Sequence, residues 1–129
     1  MKKVLLVDDM PTVLDQAGDM MKDRYELVTC SDTTGLKEKV KSEKPDIILL
    51  DLYLADDEAY ELLKALQEDK ETADIPVITT GADASVLVIS KAFFLGAVDF
   101  VRKPFIEHVL FQKIDSRLKL AEIGYRFEG

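Results

Sequence analysis

The chain has 129 residues, 47% hydrophobic and 33% charged, which suits one globular domain that buries roughly two thirds of its unfolded surface. Twenty-five acidic against 17 basic residues give a formal charge of -8, and a surface of that sign repels nucleic-acid phosphates and anionic lipid, so direct nucleic-acid binding is not expected. One cysteine, Cys30, forms no internal disulfide, and one Cys with one His falls short of a zinc ligand set, a pattern expected of a reducing, cytoplasmic setting. The N-terminus reaches Asp8-Asp9 after the four apolar residues Val4 to Val7, too short a run for a signal-peptide core or a membrane span.

Taken in chain order, Val4 to Val7 reads as a first strand and Pro11 to Asp23 as a first helix. The weaker run Tyr25 to Cys30 is a second strand, followed by a helix over Thr33 to Glu43 that Ser31 or Asp32 can cap and Pro45 stops. Ile47 to Leu50 is the third strand and about Asp57 to Asp69 the third helix. Ile75 to Ile78, running into Thr79-Thr80, is the fourth strand; Ala84 to Leu95, ended by Gly96, is the fourth helix. Val98 to Val101 and a helix from Pro104 to about Ile123, with Pro104 in its first turn, complete the series. Strands apolar at every position suit a sheet covered on both faces, and each intervening helix is long enough for a crossover. Right-handed crossovers then give a doubly wound (βα)5 sandwich of flavodoxin-like α/β class, with strand order 2-1-3-4-5. Residues 1–123 form one domain without internal repeat or linker, and 124–129 are a C-terminal extension. That tail reads equally as the start of a linker to an output domain, with Glu128-Gly129 a cloning leftover, or as the frayed end of a stand-alone domain.

In such a sheet the ligand crevice lies beyond the strand carboxyl ends where the strand order reverses. The first strand ends in Asp8-Asp9, the third in Asp51, the fourth in Thr79-Thr80-Gly81, and the fifth in Lys103-Pro104. Two like charges about 4 Å apart repel by roughly 4 kcal/mol at an effective dielectric near 20. Three gathered carboxylates therefore call for a divalent cation, and hard oxygen ligands select Mg2+. Asp51, ionised near neutral pH, would then be a nucleophile toward a phosphorus whose oxygens are held by the metal and Lys103, giving an aspartyl phosphate. Each Asp taken alone is explained by capping of the next helix; their agreement at separate strand ends is not.

These residues resemble the receiver domain of two-component response regulators, in VLLVDD with Asp8 and Asp9, PDIILLDL with Asp51, IPVITTGA before the fourth helix, and GAVDFVRKPF with Lys103. The resemblance covers residues 2 to 121. It implies that Asp51 accepts a phosphoryl group from a sensor histidine kinase or phosphotransfer protein, and that Asp9, Asp51 and the Tyr53 carbonyl ligate Mg2+ with Asp8 acting partly through water. It further implies that Lys103 pairs with the phosphoryl group, and that the Lys103-Pro104 peptide is cis.

Three departures stand out. The family has a Ser or Thr at the end of the fourth strand, where counting back from Lys103 places Gly81. Thr80 stands one residue early and faces the other way unless a bulge or slip turns it inward; otherwise the Ala82 amide is what remains to bind phosphate. After Asp51 the loop reads LYLADDEAYELL, with Leu54-Ala55 and Ala59 where the family has a Met-Pro pair and a later Gly. That change suits a more helical or more mobile loop, and the bulk of Tyr53 near the nucleophile implies slow loss of the phosphoryl group. Phe100 takes the switch-aromatic position without a hydroxyl.

The fourth helix is more apolar than a one-sided helix needs: Ile89, Ala92 and Phe93 fill the face toward the sheet, leaving several of Val86, Leu87, Val88, Phe94 and Leu95 for a partner or a second copy across the face of the fourth and fifth helices. Cys30 is expected to be a packed thiol and His108 a solvated surface residue. Asp56-Asp57-Glu58 suits helix N-terminal charge placement, and Lys37, Lys39 and Lys41 are too interrupted by acids for a nucleic-acid patch. An aspartate-based phosphatase or dehalogenase would want a second Asp where Tyr53 stands, and a nucleotide fold would want glycines where Asp8-Asp9-Met10-Pro11 follows the first strand. The remaining alternative is a receiver-like interaction module that works without phosphorylation.

Overall fold

The computed structural model describes residues 1–54 and 58–124. Five strands alternate with five helices: β1 (Lys3–Val7), α1 (Pro11–Met21), β2 (Glu26–Cys30), α2 (Leu36–Glu43), β3 (Ile47–Asp51), α3 (Ala59–Glu68), β4 (Val77–Gly81), α4 (Val86–Phe94), β5 (Asp99–Arg102) and α5 (Glu107–Glu122). All strand pairs are parallel and the order is β2-β1-β3-β4-β5, the flavodoxin-like arrangement expected from the sequence. Interior strands β1 and β3 carry the uninterrupted apolar runs Val4 to Val7 and Ile47 to Leu50, and interior strand β4 follows Val77-Ile78 with Thr79, Thr80 and Gly81. β3 and β4 are buried at every position, whereas Glu26 and Thr29 of edge strand β2 reach solvent.

Alternation along each strand sends side chains to two separate cores. Leu5, Val7, Ile48, Leu50 and Val77 meet α2 and α3 through Val40, Leu63 and Leu66, with Ala92 of α4. Val4, Leu6, Ile47, Leu49, Ile78 and Val101 meet Ala17 and Met21 of α1 and Leu110, Ile114 and Leu118 of α5. Each fully buried aliphatic side chain of this kind contributes roughly 1.5–3 kcal/mol of transfer free energy, so the sheet is clamped on both faces and its carboxyl edge is held rigidly.

Several helix ends differ from the sequence reading. Neither Ser31 nor Asp32 caps α2, which follows Gly35 without a side-chain cap. The Asp32 carboxylate instead accepts the Thr34 N–H at 2.9 Å and tightens the turn before the helix. Pro104 does not enter α5, whose first residue is Glu107; the Lys103–Pro104 peptide is cis, as the resemblance implied. α3 begins at Ala59; the start expected at about Asp57, with Ala55 and Asp56 before it, lies outside the described residues, as does the extension from residue 125 onward. Lys37 and Lys41 of α2 pair with Asp69 at 3.0 and 2.8 Å, while Lys39 donates to the Thr29 carbonyl, so these cations tie α2 to its neighbours. Cys30 is half-buried against the first core. Among the described residues, no helix is long and apolar enough to cross a membrane.

On α4, Ala92 is buried and Val88 and Leu95 pack against the first core, so those two do not belong to an outer face. Val86, Leu87 and Phe94 do, at 78, 82 and 90% exposure. The helix closes as a Schellman motif, in which the Ala97 N–H donates to the Ala92 carbonyl and the Gly96 N–H to that of Phe93, both at 3.0 Å. Gly96 takes φ +114, and a Cβ there would lie 2.4 Å from Gln67 Cγ. Gly96→Ala should therefore cost about 2 kcal/mol or more, seen as a lower urea midpoint with an unchanged slope. Adding Gln67→Ala should recover the steric part and leave the backbone part.

Candidate functional site

The sheet register brings the site together. Val7 pairs with Leu50, Asp51 with Thr80, and Thr80 with Val101, so Asp8, Asp51 and Lys103 emerge at the same carboxyl edge. Oxygens of Asp8, Asp9 and Asp51 all lie within 4.8 Å of one another. Lys103 Nζ donates to Asp8 Oδ2 at 2.8 Å and stands 3.2 Å from Asp51 Oδ2. The other oxygen of each buried aspartate is used locally: Asp8 Oδ1 accepts the Met10 N–H at 2.9 Å, and Asp51 Oδ1 accepts the Tyr53 N–H at 3.0 Å. The capping role open to any strand-end Asp and membership in the cluster are thus held by the same carboxylates, one oxygen each.

Asp8 and Asp51 are buried, at 0 and 2% exposure. Asp51 opens toward a cleft of about 600 Å³ whose walls include Asp9, Met10, Tyr53, Ala82, Lys103 and Phe105, with Asp8 beneath it. Burial raises the Asp51 pKa above the ordinary aspartate value, and Asp8 adds to the rise; the Tyr53 amide and Lys103 offset it only in part. For Lys103, burial works against the charge, yet the hydrogen bond to Asp8 and the charge of Asp51 prevail and hold its pKa above the ordinary value. Three carboxylates and one ammonium leave two negative charges uncompensated, the number a divalent cation cancels. An all-oxygen donor set with an open side suits a hard ion that keeps some of its waters, so these residues fit Mg2+.

β4 answers the question raised by Thr80. Its ladder is unbroken toward both β3 and β5, so neither bulge nor slip carries Thr80 to the side of Gly81. Thr80 stands in register with Asp51 on the sheet face that carries Ile78. It is fully buried, and its hydroxyl is the buried side-chain group without a hydrogen-bond partner among the described residues. Gly81 points to the opposite face: a Cβ there would lie 2.7 Å from Tyr53 Cε2 and 3.6 Å from Phe100 Cε2. The sequence reading missed this packing, although a vacant position 81 and an oversized residue at 53 were both visible. Ala82 is exposed at the cleft, Phe100 is half-buried, and His108 lies exposed on α5.

The chain matches the response regulator receiver domain family over residues 4–115. It belongs to that family. Among curated relatives it is similar to the alkaline phosphatase synthesis transcriptional regulatory protein PhoP of Bacillus subtilis, 29% identical over 95% of this chain and 51% of that one. It is also similar to the transcriptional regulatory protein KdpE of Staphylococcus aureus, 34% identical over 80% of this chain and 44% of that one. The chain thus spans about half the length of these relatives. A CheY-like receiver domain protein from Methanospirillum hungatei superposes with a TM-score of 0.86 at 25% identity, covering 97% of this chain and 99% of its own. A response regulator structure from Chloroflexus aurantiacus, at 23% identity and a TM-score of 0.85 over 92 and 98% of the two chains, shares the fold.

The raised Asp51 pKa has a consequence for receiver stability. A group that holds its proton more tightly folded than unfolded lowers native stability as pH climbs from the ordinary aspartate range through the raised value. Asp51→Asn removes that loss and keeps an acceptor for the Tyr53 amide. Without added metal it should therefore raise Tm near neutral pH, with the gain shrinking toward pH 3.5. A pH-independent difference in calorimetry would contradict the assignment.

Proposed function

We propose that this receiver domain, residues 1–123, is a phospho-accepting switch in which Asp51 takes a phosphoryl group from the phosphohistidine of a sensor histidine kinase or phosphotransfer protein. The observation that carries the reading is Lys103 Nζ lying within 3.2 Å of both Asp8 and Asp51 in a carboxylate cluster open to a cleft. An Asp51 oxygen forms the new bond to phosphorus as the phosphorus–nitrogen bond breaks, and the imidazole leaves with the electron pair. Lys103 pairs with a phosphoryl oxygen, and Ala82, which lines the same cleft, would offer its amide. The unpaired Thr80 hydroxyl offers a donor on the Asp51 face. Asp8, Asp9, Asp51 and the Tyr53 carbonyl would hold Mg2+, which supplies neutralisation of the phosphoryl charge. A cytoplasmic setting accords with the unpaired Cys30 and with such a donor.

Intact-mass analysis with acetyl phosphate and Mg2+ tests this reading. Wild type should gain one phosphoryl group, Asp51→Asn none, and Lys103→Ala should react about 10²-fold more slowly. After the donor is removed, Tyr53→Ala should lose its label about tenfold faster than wild type, since the ring borders the approach to Asp51. An unmodified wild type would favour the phosphorylation-independent interaction module, for which the exposed Val86, Leu87 and Phe94 are the motive.

That exposed face, with β5 and α5 beside it, is also the proposed site of homodimerisation, strengthened by phosphorylation. Sedimentation with beryllofluoride, a phosphoryl mimic, should shift toward dimer in wild type and less so in Leu87→Ser/Phe94→Ser. Unchanged sedimentation of wild type would reject it.

A further inference from the structure

Gly81 occupies no left-handed backbone conformation; the glycines with positive φ among the described residues are Gly35, Gly96 and Gly124. Its lack of a side chain therefore serves space. That space is bounded by two rings, because a Cβ on Gly81 would meet Tyr53 Cε2 at 2.7 Å, Tyr53 Cδ2 at 3.0 Å and Phe100 Cε2 at 3.6 Å. The rings differ in what restrains them. Tyr53 is 46% exposed and its backbone N–H is bonded to the Asp51 carboxylate at 3.0 Å, whereas Phe100 sits half-buried against the first core on β5, where it pairs with Thr79.

We propose that Tyr53 is a positioning residue that relays the state of Asp51 to Phe100: its ring rests on Gly81 when Asp51 is free and leaves when Asp51 carries a phosphoryl group, and Phe100 then enters the vacated space. The inference rests on the phospho-acceptor reading above. Phosphorylation turns a carboxylate of charge -1 into an acyl phosphate of nearly -2 and sets three new acceptor oxygens beside the oxygen that the Tyr53 amide is bonded to, so the anchor gains competing partners and shifts toward them. The ring can swing off Gly81 toward the open cleft that Tyr53 already lines, where it still borders the approach to Asp51. Its departure leaves Gly81 without contacts on one side, and an unfilled gap forfeits dispersion energy. Phe100 is the other wall of that gap and the side chain placed to close it. The motion begins at the carboxyl edge and ends on β5, without a hydroxyl at position 81.

Aromatic NMR of ring-labelled protein tests the relay, with beryllofluoride and Mg2+ as the phosphoryl mimic and the bound fluorine signal reporting occupancy. In wild type the mimic should shift the Phe100 ring resonances. Tyr53→Phe should respond equally, since ring carbons make the contact. In Tyr53→Ala, Phe100 should already be displaced before the mimic is added, and the response should be lost. Gly81→Ala should fold, bind the mimic and leave Phe100 at its resting position, because the added methyl fills the gap and Tyr53 steps aside. A bound fluorine signal with Phe100 unmoved in wild type, or with Phe100 responding in Gly81→Ala as in wild type, overturns the relay alone. Failure of Gly81→Ala to fold also overturns it, since the ring would then be immovable. Absence of a bound fluorine signal in wild type overturns the phospho-acceptor reading and the relay with it.

Discussion

The bridge from Lys103 to Asp8 and Asp51 is the constraint on which the site depends. Two buried carboxylates side by side are unfavourable, and the fold places them there because their strands are neighbours in the sheet, with Val7 paired to Leu50 one residue before. Lys103 arrives from the far end of the chain, beyond β5, at 2.8 and 3.2 Å from the two aspartates. It relieves part of the repulsion and leaves the rest standing. The residual negative charge is what fits the cluster to a divalent cation, while the two apolar cores supply the stability that tolerates it.

The architecture was legible because the interior strands carry their environment in their composition. β1 and β3 are apolar at successive positions, a pattern that a strand solvated on one face does not need, and the edge strand β2 betrays itself by Glu26 and Thr29. Strand order followed from chirality and crossover length, and with it the convergence of Asp8, Asp9, Asp51 and Lys103. Helix ends were less legible. Asp32 has the chemistry of a cap and spends it on the turn at Thr34, and Pro104 suits a first helical turn yet lies three residues before α5 begins, because local preferences of this kind are satisfied by more than one backbone path.

The pairing of Tyr53 with Gly81 was not legible, for a different reason. Each residue by itself is a departure from a pattern: one lacks a side chain, the other has too much. Only the three-dimensional register shows that the excess fills the deficit, the would-be Cβ of Gly81 lying 2.7 Å from the Tyr53 ring. Thr80 shows the complementary case. Its neighbour relation to Gly81 in sequence suggested a substitute hydroxyl, but period-two alternation along an unbroken strand puts the two residues on opposite faces.

That alternation also separates the tasks of the molecule. Asp51, Thr80 and Lys103 share the sheet face packed by α1 and α5, whereas Gly81 and Phe100 share the face packed by α3 and α4. The end of β4 belongs to both, with Thr80 toward the charges and Gly81 toward the aromatic rings. In the relay proposed above, an event on the charged face reaches the aromatic face through this one strand end and through Tyr53, whose amide touches the first and whose ring touches the second, since a close-packed interior transmits strain. A buried sheet that keeps its two layers chemically distinct in this way transmits a change of charge as a change of packing, and α4, with Val86, Leu87 and Phe94 in solvent, is the surface on which such a change is exposed to other molecules.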